Sequence, residues 1–181
     1  MVKEEKLIVA GSGGQGVLLA SSLLAYAAML ENKEVCWLSS YGPEMRGGTA
    51  NCTVIISEQE IYSPVIEEAD TTIVFNEPSL QKFKSILQPN GLIVWNKNLI
   101  HSEVFTETIP ANIGIEADSI ANQLGNPRVM NMVMVGAYAR LKGIVSIESL
   151  IQSLDAVIPP HRHHLIGVNE KAVREGAKAV S

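Results

Sequence analysis

Gly11-Ser12-Gly13-Gly14-Gln15-Gly16 follows the apolar run Leu7-Ile8-Val9-Ala10 and precedes a long helical pattern. A strand, a glycine turn and a helix N-terminus in that order make an anion-binding arrangement. Backbone N–H groups and the positive end of the helix dipole face the ligand, and glycine lets it come close. A second glycine loop, Ser40-Tyr41-Gly42-Pro43-Glu44-Met45-Arg46-Gly47-Gly48, follows the next apolar run. Loops leaving the carboxyl ends of neighbouring strands in an open α/β sheet converge on one crevice, so both glycine loops are expected to line it.

Outward from this pair, continuous apolar runs of strand length recur at Leu7 to Ala10, Val35 to Leu38, Thr71 to Phe75 and Leu92 to Trp95. Continuity rather than alternation predicts strands covered on both faces. Ala50 to Ile56 alternates, with Ala50, Cys52, Val54 and Ile56 on one face, and the return through Glu60-Ile61-Tyr62 predicts a hairpin that makes the sheet mixed. Helices are expected at Gln15 to Glu31, Pro78 to Leu87, Pro127 to Leu141, Ser146 to Val157 and His164 to Val180. Pro78 and Pro127 suit first turns, Gly91 and Gly143 suit positions just past C-termini, and Ser146 with Glu148 suits a capped start. The pattern is that of a three-layer α/β fold: a Rossmann-like, mostly parallel but mixed sheet with helices on both faces, residues 1–181 forming one domain.

Composition narrows the function classes. The 181 residues are 46% hydrophobic with a net charge of -5, and the pI is about 5.4. Mild acidity without a basic run argues against a nucleic-acid surface. The apolar stretch Val17 to Leu30 is short of the ~20 residues a bilayer span needs, so no membrane contact and a cytoplasmic location are expected. The two cysteines, Cys36 and Cys52, form no metal-ligand pattern, and an iron–sulfur cluster wants about four. Both are expected to be buried as small apolar residues.

Gly11, Gly13 and Gly16 satisfy the glycine pattern of dinucleotide-binding folds, but that fingerprint also needs an Asp or Glu about 20 residues on, at the end of the second strand, to hold the ribose. Here that strand ends Trp37-Leu38-Ser39-Ser40. A stand-alone NAD(P)-dependent oxidoreductase is therefore disfavoured, and no Gly-Lys-Ser/Thr closes a P-loop. Gly14 and Gln15 lie where a dinucleotide turn is indifferent to residue type. Gln15 either contacts a ligand or ties the first loop to the second. In the second loop, Tyr41 and Gly42 lead to Glu44 and Arg46, followed by Gly47 and Gly48. Arg46 is either an anion fork for a carboxylate or phosphate, or the internal partner of Glu44. Asn131 is the polar exception among Met130, Met132 and Met134, and either reaches the crevice or bonds locally. His161-Arg162-His163-His164 does not have the three- or four-residue spacing of a helical metal site, and is expected to be a solvated entry to the last helix.

With both loops in view, the chain resembles the gamma-type subunit of the 2-oxoacid:ferredoxin oxidoreductases, in the 2-oxoglutarate and 2-oxoisovalerate branch of the pyruvate:ferredoxin oxidoreductase family. The motifs run from Gly11-Ser12-Gly13-Gly14-Gln15-Gly16-Val17 and Ser40 to Ala50 through Pro110-Ala111 and Leu124-Gly125-Asn126 to Asn131-Met132-Val133-Met134. The resemblance implies an assembly that decarboxylates a 2-oxoacid, preferentially 2-oxoglutarate, with coenzyme A, giving an acyl-CoA, carbon dioxide and reduced ferredoxin. It places thiamine diphosphate, its Mg ion and the iron–sulfur clusters on partner alpha, beta and ferredoxin-like delta subunits. For this chain it implies no catalytic residue and no resident cofactor. It points to Gly11, Ser12, Gly13, Gly14, Gln15, Gly16, Tyr41, Gly42, Glu44, Arg46, Gly47, Gly48 and Asn131 as residues that either contact coenzyme A or dock partner subunits. A non-catalytic, structural subunit of the same complex is the alternative.

Overall fold

The computed structural model describes residues 4–41, 49–105 and 111–180. The second glycine loop from Gly42 to Gly48, with Glu44 and Arg46, lies outside the described residues, as does Pro110. Six strands form one sheet in the order β2-β3-β1-β4-β5-β6. They are β1 (Glu4–Ser12), β2 (Glu34–Tyr41), β3 (Thr49–Ser57), β4 (Ala69–Val74), β5 (Leu87–Asn96) and β6 (Asn112–Ile115). β1, β4, β5 and β6 pair in parallel, whereas β3 is antiparallel to both β1 and β2. The sheet is mixed, as expected, but for a different reason. Glu60-Ile61-Tyr62 belongs to no strand, and β3 is antiparallel because it returns directly alongside β2.

β3 inserts between β1 and β2. Since β3 opposes each, β1 and β2 run the same way and their carboxyl ends lie at one edge of the sheet, two strand spacings or about 10 Å apart. β2 is also an edge strand and is not covered on both faces, contrary to its continuous apolar run: Trp37 is 38% and Leu38 48% exposed. Cys52 on β3 is buried, whereas Cys36 on β2 is only partly so.

The helices are α1 (Val17–Leu30), α2 (Glu77–Phe83), α3 (Ala117–Gln123), α4 (Met130–Lys142), α5 (Ile147–Val157) and α6 (Ile166–Lys178). The layers are unequal. α1, α3, α4, α5 and α6 share the larger core with Leu7, Val9, Val54, Ile73 and Val94, and the other face carries α2 over Ile8, Ala10, Val74, Ile93 and Trp95. Three expected helices start later than their sequence pattern. Pro127–Val129 and Pro160–Leu165 are 3-10 turns leading into α4 and α6, and α1 begins at Val17 because Gly16 is left-handed, with φ 77°. Gly91 follows no helix: it sits in β5, where Leu87 pairs with Ala69 but Leu92 with Thr71, so the intervening residues bow out. Gly143 and Ser146 behave as read, the first a left-handed C-cap and the second an N-cap accepting from the Ser149 N–H.

α4 is buried from Met130 to Ala139, which explains its three methionines as core filling. Its far end is fastened to β1 by Glu5, whose Oε1 accepts from Thr71 Oγ1 (2.6 Å) and Tyr138 OH (3.3 Å), and whose Oε2 pairs with Lys142 Nζ at 3.0 Å. Burial, then the neighbouring Glu5 charge, push the Tyr138 phenol well above its ordinary value. Its near end carries Asn131 to the first glycine loop.

Glu31 joins α1 to α5, accepting from Lys33 Nζ (2.8 Å) and the Ser146 N–H (2.7 Å). Partial burial opposes its charge, but these donors and the hydroxyls of Ser149 and Ser146 outweigh it and hold the carboxyl at about 2 rather than 4.5. A depressed carboxyl stabilises the fold above its unfolded pKa and loses that contribution as pH falls toward the folded one. Wild type should therefore melt above Glu31→Gln at pH 7, with the gap closing between pH 4.5 and about 2. Thermal unfolding of the pair across that range checks it, and a gap independent of pH would refute the role.

Candidate functional site

The first glycine loop stands where the chain's course divides. β1 leads to α1 on one face and its parallel neighbour β4 leads to α2 on the other, so the carboxyl ends of β1 and β4 flank the switch point at which open α/β sheets bind ligands. That crevice is filled by the protein itself. Gln15 Oε1 accepts from the Ser12 N–H at 2.7 Å and from Asn76 Nδ2 at 2.9 Å, and Asn76 Nδ2 also reaches Ser12 Oγ at 2.7 Å. Asn76 in turn caps α2 by accepting from the Ser79 N–H. Gln15 thus ties the loop to β4 through Asn76, a residue the sequence reading did not select. Gly11 keeps room for it: a Cβ there would lie 2.8 Å from Gln15 Oε1 and 3.1 Å from Phe75 Cβ.

A dinucleotide fold places its ribose-holding acid at the end of the strand that follows α1 and lies beside β1; here that strand, β2, ends at Ser39-Ser40-Tyr41 and is separated from β1 by the antiparallel β3, while the parallel neighbour of β1 is β4.

On its α1 side the loop opens onto a cleft of about 910 Å³. Gly13 and Gly14 form its exposed tip, and Gly14 and Gly16 have φ of 98° and 77°. No side chain caps α1, and its first turn carries no acid. The N–H groups that a helix leaves unpaired at its start, and its positive dipole end, are therefore not neutralised locally. Asn131 lies at the base of the cleft, 2% exposed. Its Nδ2 donates to the Gly16 carbonyl at 3.1 Å, and its Oδ1 has no partner among the described residues. The walls include Leu18, Leu19, Val129 and Ile158, with Trp37 of β2 at one side. Trp37 Nε1 donates to Ser21 Oγ at 3.0 Å, which fixes the indole against α1.

Arg128, His161, Arg162 and His164 also border the cleft, and no Asp or Glu does so among the described residues. The turn Pro160–Leu165 is thus more than a solvated entry to α6: it carries three polar side chains to a shared cavity. Among the described residues no three His, Cys, Asp or Glu side chains come together in a way that could hold a metal ion. The basic block was visible in sequence, but no local pattern places it opposite α1. Of the expected site residues, Gly14, Gly16 and Asn131 meet at the cleft. Gly11, Ser12 and Gln15 build the turn, Tyr41 ends β2, and Gly42, Glu44, Arg46, Gly47 and Gly48 lie outside the described residues.

Comparison with known proteins supplies an independent line. The sequence model of the pyruvate ferredoxin/flavodoxin oxidoreductase family matches residues 6–179. The chain is 33% identical over 176 residues to the ketoisovalerate oxidoreductase subunit VorA of Methanothermobacter marburgensis, covering 97% of this chain and 36% of that protein. It is 34% identical over 161 residues to the 2-oxoglutarate synthase subunit KorC of Methanocaldococcus jannaschii, covering 88% and 85%. The chain spans about a third of the length of the VorA relatives, 36% and 28%. Among solved structures, the pyruvate oxidoreductase subunit PORC of Thermotoga maritima superposes with a TM-score of 0.80 at 26% identity over 98% of this chain and 97% of that one. The keto/oxoacid ferredoxin oxidoreductase gamma subunit of Geobacter sulfurreducens shares the fold, with a TM-score of 0.84 at 24% identity over 98% and 97%.

Proposed function

Because the chain belongs to the pyruvate ferredoxin/flavodoxin oxidoreductase family, we propose that it is the gamma-type subunit of a cytoplasmic 2-oxoacid:ferredoxin oxidoreductase. The complex oxidatively decarboxylates its 2-oxoacid with coenzyme A, and the two electrons pass to ferredoxin. The chain's own residues do not suit the redox groups. It has two cysteines, Cys36 and Cys52, against the roughly four that a cluster needs. Thiamine diphosphate with its Mg ion and the iron–sulfur clusters belong to the alpha, beta and delta partners. This subunit receives coenzyme A, whose phosphates suit an uncapped helix N-terminus.

The observation that carries this reading is the α1 N-terminus, free of side-chain caps and first-turn acids, opening onto a cleft bordered by Arg128, His161, Arg162 and His164. Docking of partner subunits is supported separately. α1 has no charged residue along its length, and Tyr26, Met29 and Leu30 stand 43%, 57% and 51% exposed. A helix apolar all round is normally covered.

We take 2-oxoglutarate as the substrate, a choice supported by similarity to the 2-oxoglutarate synthase subunits KorC of four organisms, each matched over most of its own length. Isolating the native complex through a tag on this chain and comparing 2-oxoacids at saturating coenzyme A tests the choice. Fastest turnover is expected with 2-oxoglutarate, and faster turnover with 2-oxoisovalerate would move the protein to the other branch.

Arg46 of the second glycine loop separates binding from docking. If it grips coenzyme A, Arg46→Ala leaves the complex intact and raises the apparent KM for coenzyme A roughly ten- to a hundred-fold, the equivalent of about 1.5–3 kcal/mol for a charge-assisted hydrogen bond. If it docks a partner, gel filtration shows the subunits apart. An intact complex with unchanged coenzyme A kinetics would leave only a pairing with Glu44 inside the loop.

A further inference from the structure

The end of the sheet remote from the glycine loops carries the most exposed large apolar side chains among the described residues. β3 ends at Ser57, in register with Glu4 at the start of β1 and Glu34 at the start of β2. The chain then runs through residues 58–68 before β4 begins at Ala69. Ile66 packs against the core beneath α2, and Ser63 Oγ accepts from the Val65 N–H at 3.2 Å. Tyr62 and Val65 nevertheless stand 90% and 65% exposed, with Pro64, also exposed, between them. Among the described residues, 59–67 make no backbone–backbone hydrogen bond. Most of the segment's donors and acceptors are therefore open to solvent or to a neighbour.

Charge says what kind of neighbour fits. Glu58, Glu60, Glu67 and Glu68 flank the apolar tip and are exposed. None of them makes an ion pair among the described residues, unlike Glu4, Glu31, Glu116 and Glu170. No Lys or Arg lies between Ser57 and Ala69. An aromatic and aliphatic tip set between unpaired carboxylates is complementary to an apolar pocket rimmed by Lys and Arg. A second copy does not supply this face to face, because loop against loop opposes carboxylate to carboxylate. Met29 and Leu30, exposed at the end of α1, are separated from Glu34 of β2 only by Glu31, Asn32 and Lys33. They stand at the same end of the sheet and enlarge the apolar surface there.

Resting on the chain's place as one subunit of an oxidoreductase complex, we propose that the loop from Glu58 to Glu68 is a docking element for a partner subunit. Tyr62 and Val65 enter an apolar pocket on that subunit, and Glu58, Glu60, Glu67 and Glu68 meet Lys and Arg side chains on its rim. The loop and the glycine turn leave opposite ends of β1 and β3, so the contact holds the assembly together without touching the cleft.

The test uses the complete complex, with dissociation followed by gel filtration over dilution and salt series. Tyr62→Ala should raise the dissociation constant about thirtyfold or more, the effect of losing one aromatic anchor. Tyr62→Phe keeps the ring and should dissociate like wild type. Wild type should come apart more readily as salt rises, since rim charges are screened, and Glu67→Lys with Glu68→Lys should weaken assembly and flatten that dependence. At concentrations where each variant is assembled, the KM values for the 2-oxoacid and coenzyme A should stay within about twofold of wild type, because distant sites act independently. An unchanged dissociation constant in Tyr62→Ala would overturn the proposal. So would an intact complex in which only the KM for ferredoxin rises, which would make the loop a contact for the acceptor. A wild-type chain that purifies without partner subunits would instead refute the proposed function itself, and this docking element with it, so the two failures are distinct.

Discussion

Gly136→Ala and Gly176→Ala are each expected to cost the fold about 3 kcal/mol or more. The two glycines mark a reciprocal contact between helix backbones. A Cβ on Gly136 of α4 would fall on the Val173 carbonyl of α6, and one on Gly176 of α6 would fall on the Val133 carbonyl of α4. Neither neighbour is a side chain that can swing aside, so a methyl group forces the helices apart along the contact. In a chain of this length such a loss lowers the melting temperature by roughly 6–12 °C. Because Leu165 and Asn169 at the start of α6 line the cleft and Asn131 stands on α4, coenzyme A dependence should suffer with stability. Thermal unfolding followed by circular dichroism reads the effect; a melting temperature within about 2 °C of wild type for either variant would contradict this packing.

Gly16→Ala should damage coenzyme A use far more than Gly14→Ala, although both impose a similar backbone penalty. Each residue is left-handed, and placing an L side chain there costs about 1–2 kcal/mol. Around Gly14 nothing lies within 4 Å of an added Cβ, so the backbone cost is the whole effect. At Gly16 the methyl would stand 2.9 Å from Asn131 Cγ, displacing the amide that donates to the Gly16 carbonyl. The base of the cleft and the cap of α1 then change together. We expect Gly16→Ala to raise the apparent KM for coenzyme A about tenfold or more above that of Gly14→Ala at comparable melting temperature, the equivalent of one misplaced hydrogen bond. Equal KM values in the two variants would mean that Asn131 does not shape the site.

The layered α/β fold could be read from sequence because strands and helices leave different periodicities, and β1, β4 and α1 followed theirs. What misled was composition standing in for context. Val35 to Leu38 has the apolar run of a central strand yet lies at the sheet edge, because β3 takes the place beside β1 and nothing in a local pattern says which strand pairs next. β6 and α3 are short, and a four-residue strand such as Asn-Ile-Gly-Ile carries too little alternation to stand out. Gly16 and Asn131 were both legible as polar or glycine exceptions in apolar surroundings, but their contact spans 115 positions and is a product of the fold. Gln15 was singled out as a ligand contact or a tie to the second loop, but it bonds Asn76, which was hidden as an unremarkable residue before a proline-started helix. The basic turn Pro160–Leu165 reads locally as solvent-facing, and only the tertiary arrangement sets it across from α1.

The most direct measurement of the central claim is reduction of ferredoxin by the purified native complex with 2-oxoglutarate, run with and without coenzyme A. Reduction should require coenzyme A, and one acyl-CoA should form for each carbon dioxide released and each pair of electrons delivered. Sustained reduction at the same rate without coenzyme A, or with NAD as the required acceptor in place of ferredoxin, would contradict it.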